Sequence, residues 1–146
     1  MAESHELDQE QCAELLRSGV VGRAALTTPP GPHIVPVNYS VVDDEIIIRT
    51  APHSTLGTYG PGCLVAFEVD WFDYERHVGW SVMARGRAHA ITDPDAIKMI
   101  YEKWPPRPWA DGPRNLFLKL RWDEISGVRL GGGWTARNVS PVRRSV

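Results

Sequence analysis

The chain has little of what would commit it to several common classes of protein. Cysteine is nearly absent: Cys12 and Cys63 are the only two among 146 residues, far apart and in no C-x-x-C arrangement. That argues against a disulfide framework and for reduced cytosolic thiols, each expected to act as a small buried hydrophobe. No apolar run approaches the roughly 20 residues needed to cross a bilayer. The first residues, MAESHELDQE, are acidic and polar and lack the basic and then apolar regions of a secretory signal. These absences point to a cytoplasmic protein without a membrane partner. Positive charge is not in excess either. With a formal net charge of -2, no global field would draw the chain to nucleic acid or an anionic surface, so any anion site must be local. Internal repeats are missing, and so is an alternating β-α-β pattern.

What is present fits one domain with a modest core. Asp8 can cap a helix that places Cys12, Leu15 and Leu16 on one side, and Gly19 is a natural stop. From Val20 the period changes to that of strands. VGRAALTT is followed by a PPGP turn and by HIVPVNYSVV, in which Pro36 marks an edge, a bulge or a place where the ladder opens to a ligand. Asp43 and Asp44 turn the chain into EIIIRT.

After a short helix or loop at HSTLGTYGPG come CLVAFEVDWFDY and HVGWSVMARGRAHAI, two long strands. Asp93 and Pro94 start a helix that runs to about Lys103. WPPRPWADGPR is a loop, NLFLKLRWDEISGVRL the last strand, and residues 131–146 a Gly-rich, then basic, tail expected to be flexible. The sum is a mainly β (α+β) fold of six strands with short flanking helices, best satisfied by a closed or nearly closed antiparallel barrel.

The most informative stretch is Pro36 to Leu56, a hairpin whose second strand delivers Arg49 and Thr50 into a turn carrying His53, Ser54 and Thr55. An Arg fork with nearby hydroxyls is what a phosphate-bearing ligand needs. Taken alone, Arg49 also reads as a solvated rim residue, and Ser54 and Thr55 as caps of the helix that follows. The six Trp fit walls for flat ligands, subunit contacts or plain packing. The five histidines show no helical pair and no partner cysteines, so no metal site is expected.

The order VGRAAL, HIVPVNY, IIIRT with its hydroxyl turn, VAFEVD, GWSVMARGRA, PWADGPR and finally ISGVRL resembles the pyridoxamine 5'-phosphate oxidase-like superfamily. It is most similar to small actinobacterial members with an FMN-binding split β-barrel, and the likeness spans about Leu15 to Leu130. The resemblance implies a six-stranded antiparallel split barrel, a homodimer, and FMN sites in the clefts between subunits. It also implies that Val35, Pro36, Val37 and Asn38 run along the flavin ring, with Val35 and Val37 among its apolar cover. Arg49, Thr50, Ser54 and Thr55, helped by His53, would hold the phosphate. Trp80 and Ser81 would flank the ring from the partner side, and Trp109 and Arg114 would close the site.

One departure stands out, because relatives usually carry a Lys or Arg in the turn where this chain has Ser54 and Thr55. The implied activity is FMN-dependent oxidation or reduction of a small molecule, with no side chain required as a nucleophile. Pyridoxamine phosphate itself is disfavoured, since no second phosphate-binding set can be placed. Two alternatives stand beside this reading. One is a reductase using the deazaflavin F420, whose acidic tail would need a basic groove from Arg85, Arg87, Arg107, Arg114 and Arg121. The other is a non-catalytic flavin-binding dimer with weakened or lost cofactor binding.

Overall fold

A computed structural model describes residues 3–103 and 115–131. The loop at 104–114, with Trp109 and Arg114, and the tail beyond Gly131 lie outside the described residues. Eight strands and three helices follow in the order β1 (Ser4–Glu6), α1 (Gln9–Ser18), β2 (Val21–Thr28), β3 (Gly31–Val42), β4 (Glu45–Thr50), α2 (Thr55–Tyr59), β5 (Leu64–Asp73), β6 (Val78–Ala90), α3 (Pro94–Lys103), β7 (Leu116–Arg121) and β8 (Glu124–Leu130).

All the pairings are antiparallel. The strand order β6-β5-β2-β3-β4-β7 closes on itself through a β6–β7 pairing, giving a ring of six, while β8 and β1 extend the sheet from the first half of β6. This is the split β-barrel that the family resemblance implied, and it meets the nearly closed antiparallel barrel expected from the pattern of strands.

Local chemistry accounts for the elements. Asp8 and Gln11 form a reciprocal capping box at the start of α1, whose buried Cys12, Leu15 and Leu16 enter the barrel core. The β3–β4 turn places Asp43 and Asp44 both at positive φ, the conformation of a two-residue turn that matches strand twist, and Asp44 is ion-paired to Arg17 of α1. Inside the ring lie Tyr39, Ile46, Ile48, Phe67, Trp80, Val82 and Leu118. A second, smaller cluster of Ile47, Ile100 and Phe117 forms where α3 covers the outer face of β4 and β7.

Two strands change partner along their length, and this splits the barrel. β3 pairs with β2 from Gly31 to Asn38, whereas its pairing with β4 covers only Tyr39 to Val42. β6 pairs with β8 through Arg85 and then with β7 from Ala88.

The single last strand expected from the sequence is therefore two. Between Arg85 opposite Glu124 and Ala88 opposite Leu120, the β7–β8 side carries one residue more than the β6 side, a bulge centred on Trp122. Gly86 faces that bulge so closely that a Cβ would overlap the Arg121 carbonyl. Strand β1 went unpredicted because three polar residues, Ser-His-Glu, carry no strand period.

Candidate functional site

The pairing of β3 creates the feature of greatest interest. Past Tyr39 opposite Ile48 the β3–β4 ladder ends, and β3 continues back to Gly31 with β2 on one edge and no strand on the other among the described residues. Tyr39 N–H donates to Val20 C=O at 2.9 Å, on the β2 side. By the alternation of an antiparallel ladder, odd-numbered residues of β3 turn their backbone groups to β2 and even-numbered residues turn theirs to the open edge. Pro32 and Pro36 occupy even positions, so their missing donors fall on that edge. Pro36 thus marks an open ladder, one of the alternatives the sequence left. The edge carries the Ile34 N–H and the carbonyls of Ile34 and Pro36, so the polar groups come from residues other than Val35 and Val37.

Side chains follow the same alternation. Val35 and Val37 pack against the main core, which removes them as side-chain cover for a ligand outside the barrel. Asn38 and Ser40 share the outward face with Pro36. Ser40 is 1% exposed, and its hydroxyl has no hydrogen-bond partner among the described residues. A hydroxyl left in this state costs about 1–3 kcal/mol. Ser40 escaped the sequence reading because a strand serine looks the same whether or not its hydroxyl is satisfied.

Arg49 and Thr50, neighbours at the end of β4, point to opposite faces. Thr50 is buried, and its hydroxyl lies 2.9 Å from that of Ser54. Ser54 in turn donates to Ala51 C=O at 2.7 Å and accepts from Gly57 N–H at 3.0 Å, so it caps α2. His53 is exposed and Thr55 half-buried at the first position of α2. Of the expected phosphate cradle, Thr50 and Ser54 are brought together as an internal latch of the turn.

Arg49 lies half-buried on the outer face, directly opposite Phe117. Its guanidinium carbon stands 5.4 Å over the Tyr101 ring and 5.5 Å over the Phe117 ring.

Trp80 needs correction as a wall for a ligand. It is wholly enclosed in its own protomer's core, with no exposed surface to lay on a ring. The signal was in the sequence: Trp80 shares its alternation with Val82 and Ala84, whereas Ser81 shares it with Met83, Arg85 and Arg87. Ser81 accordingly faces outward, in a shallow cavity of about 360 Å³ with Glu68, Met83 and Ser126. Across that outer face Arg23 bridges Glu68 at 2.8 Å and Asp70 at 3.2 Å. Burial pushes the Glu68 carboxyl above its ordinary value and the adjacent Asp70 pushes it further, because the one guanidinium is shared between two acids.

Arg85 and Arg87 lie on this same face, but Arg85 is paired to Glu124 at 3.1 Å and Arg87 donates to Gly62 C=O at 2.5 Å. Arg107 and Arg114 lie outside the described residues. Cys63 is exposed, against the expectation of burial, while Cys12 is buried. Among the described residues no helix is long and apolar enough to cross a membrane, and no three His, Cys, Asp or Glu side chains converge as metal ligands.

The chain is thus a six-stranded split barrel in which part of one β3 edge meets no strand among the described residues, beside an arginine that lies over two aromatic rings. The family model described as pyridoxamine 5'-phosphate oxidase matches residues 8–129, and the chain belongs to that family. The uncharacterized protein Rv0080 of Mycobacterium tuberculosis is 31% identical over 130 residues, covering 86% of this chain and 84% of its own. Among solved structures, an FAD binding protein from Mycobacterium smegmatis is 27% identical with a TM-score of 0.68, covering 87% of this chain and 98% of that one. A conserved protein of unknown function from Corynebacterium diphtheriae is 26% identical with a TM-score of 0.70, again covering 87% and 98%.

Proposed function

We propose that this chain is a cytoplasmic flavin-binding protein that acts as an oxidoreductase on a small molecule, holding its cofactor in a cleft completed by a second copy. The observation that carries the reading is the open edge of β3. A flavin ring has a polar edge that needs donors and acceptors in a row, and Ile34 and Pro36 offer them without a competing strand among the described residues. Arg49, at the point where β3 and β4 part, is the cation for the first phosphate, a part that FMN and FAD share. When bound, the flavin supplies the electron transfer, and the chain's own residues orient it and exclude water.

FMN is the ligand proposed. FAD is a second reading, favoured by the FAD binding protein from M. smegmatis. F420 has less support, since Arg85 and Arg87 already have partners. A second copy has a place to dock, because the outer sheet face exposes Val21, Ile34, Leu64, Phe72 and Val128, with no helix over it among the described residues. Ser81 on that face would reach the partner's cleft.

The test is titration of the purified protein with FMN and with FAD, followed by flavin fluorescence and by absorption near 450 nm. FMN is expected to bind at micromolar concentration or tighter. Arg49→Ala is expected to weaken it at least tenfold with the melting temperature retained. Absence of binding by either nucleotide would overturn the reading, and binding of FAD alone would move it to the second.

A further inference from the structure

Arg49 is held by more than its own strand. Ile97, Ile100 and Tyr101 fall on one side of α3, at the spacing that lays a helix face on a sheet, and Ile100 seats that face on Ile47 and Phe117. Tyr101 follows one residue later and meets Phe117 edge-on, with ring centroids 5.4 Å apart and planes at 74°. The Arg49 guanidinium carbon lies over both rings at nearly equal distance. A guanidinium drawn to two rings at once is confined to the space over both, which restricts where its fork of N–H groups can point. A long arginine that would otherwise sample many rotamers is thereby limited to a few, and that lowers the entropy lost when an anion is bound.

We infer that Tyr101 is a positioning residue for the anion site: it holds the Arg49 guanidinium in place for a phosphate and so raises flavin affinity without touching the flavin. The inference rests on the reading of Arg49 as the phosphate ligand. It also assigns α3 a role in the site that its sequence, an ordinary amphipathic helix, does not announce. Tyr101 is 47% exposed, so replacing it leaves the core of α3 in place. Phe117 is 3% exposed and belongs to that core, which makes Tyr101 the member of the pair that can be varied.

The experiment is a double-mutant cycle read by FMN titration, with thermal unfolding of every variant as the control. Tyr101→Leu is expected to weaken FMN about threefold to tenfold, and Tyr101→Phe, which keeps the ring, to restore affinity to within twofold of the parent. In an Arg49→Ala background Tyr101→Leu should have no further effect, since nothing is left to position. Equal losses for Leu and Phe, or a loss that persists without Arg49, would overturn the inference while leaving Arg49 as the anion ligand. If Arg49→Ala itself leaves affinity unchanged, the reading of the site fails first. A shift of melting temperature in Tyr101→Leu with unchanged affinity would mean that the ring only packs.

Discussion

The hydroxyl of Tyr39 donates to the backbone carbonyl of Leu16 at 2.5 Å, tying the last turn of α1 to the residue at which β3 changes partner. Both groups are buried, and the carbonyl is one of those a helix end leaves without an internal partner. Tyr39→Phe should therefore cost about 1–2 kcal/mol, lowering the melting temperature by about 3–8 °C. Gly19 leaves no room beside this hydroxyl, since a Cβ there would overlap it. Gly19→Ala should be destabilising in the parent and clearly less so in the Tyr39→Phe background. Additive losses in thermal unfolding would show that the two positions do not compete for the same space.

A second prediction concerns the missing turn cation. Thr55 opens α2 beside the part-buried Thr50–Ser54 latch, and as the first helical residue it is not the cap. Thr55→Lys is expected to tighten FMN about tenfold by adding a charge-assisted contact to phosphate. No gain in the titration would mean that the lysine does not reach the phosphate or that its charge is already neutralised.

The two thiols should separate cleanly in reactivity. Cys63 is exposed, whereas Cys12 is enclosed and its thiol is pushed up by burial and then by the charge of Asp8. Thiolate is the reactive form, so a disulfide reagent should titrate one thiol rapidly and the second only in denaturant. Cys63→Ser should abolish the rapid phase, and a rapid phase surviving that change would place Cys12 within reach of solvent.

Glu68 gives a pH dependence whose sign is fixed by its direction of shift. Its carboxyl is raised above the ordinary value of 4.5 in the folded state, chiefly by burial and then by Asp70. The folded protein therefore holds that proton more tightly than the unfolded chain. The stabilising contribution is complete below the ordinary value and is lost as pH rises through the raised one. Glu68→Gln removes the titration while Arg23 keeps Asp70. Urea midpoints of variant and parent should accordingly shift in the variant's favour between pH 4 and pH 7, and a shift the other way would refute the assignment.

Much of the barrel was legible because its signals are local. Asp8 followed by Cys12, Leu15 and Leu16 specifies α1, and paired aspartates between apolar runs specify the β3–β4 turn. The break between β7 and β8 was not legible, because one excess residue at Trp122 is defined only against β6. At the candidate site the sequence marked the hairpin but not the direction of its side chains. Arg49 and Thr50 look like one motif in a line of letters, yet adjacent strand residues face opposite ways, and the outer face of Arg49 exists only once α3 has folded over it. Ile34, Ser40 and Tyr101 were missed for the same reason, since each owes its interest to what lies across from it.

The prolines of β3 have a second consequence. A strand with a bare edge invites another molecule's strand to continue the sheet, the first step toward aggregation. Pro32 and Pro36 stand at every second paired position along the edge that no described strand covers, so an incoming strand would find every second donor missing and a ring in the way. A small molecule that needs only one or two backbone contacts suffers little from those gaps. The same two residues thus make the edge selective, available to a compact ligand and poor as a template for sheet growth between molecules.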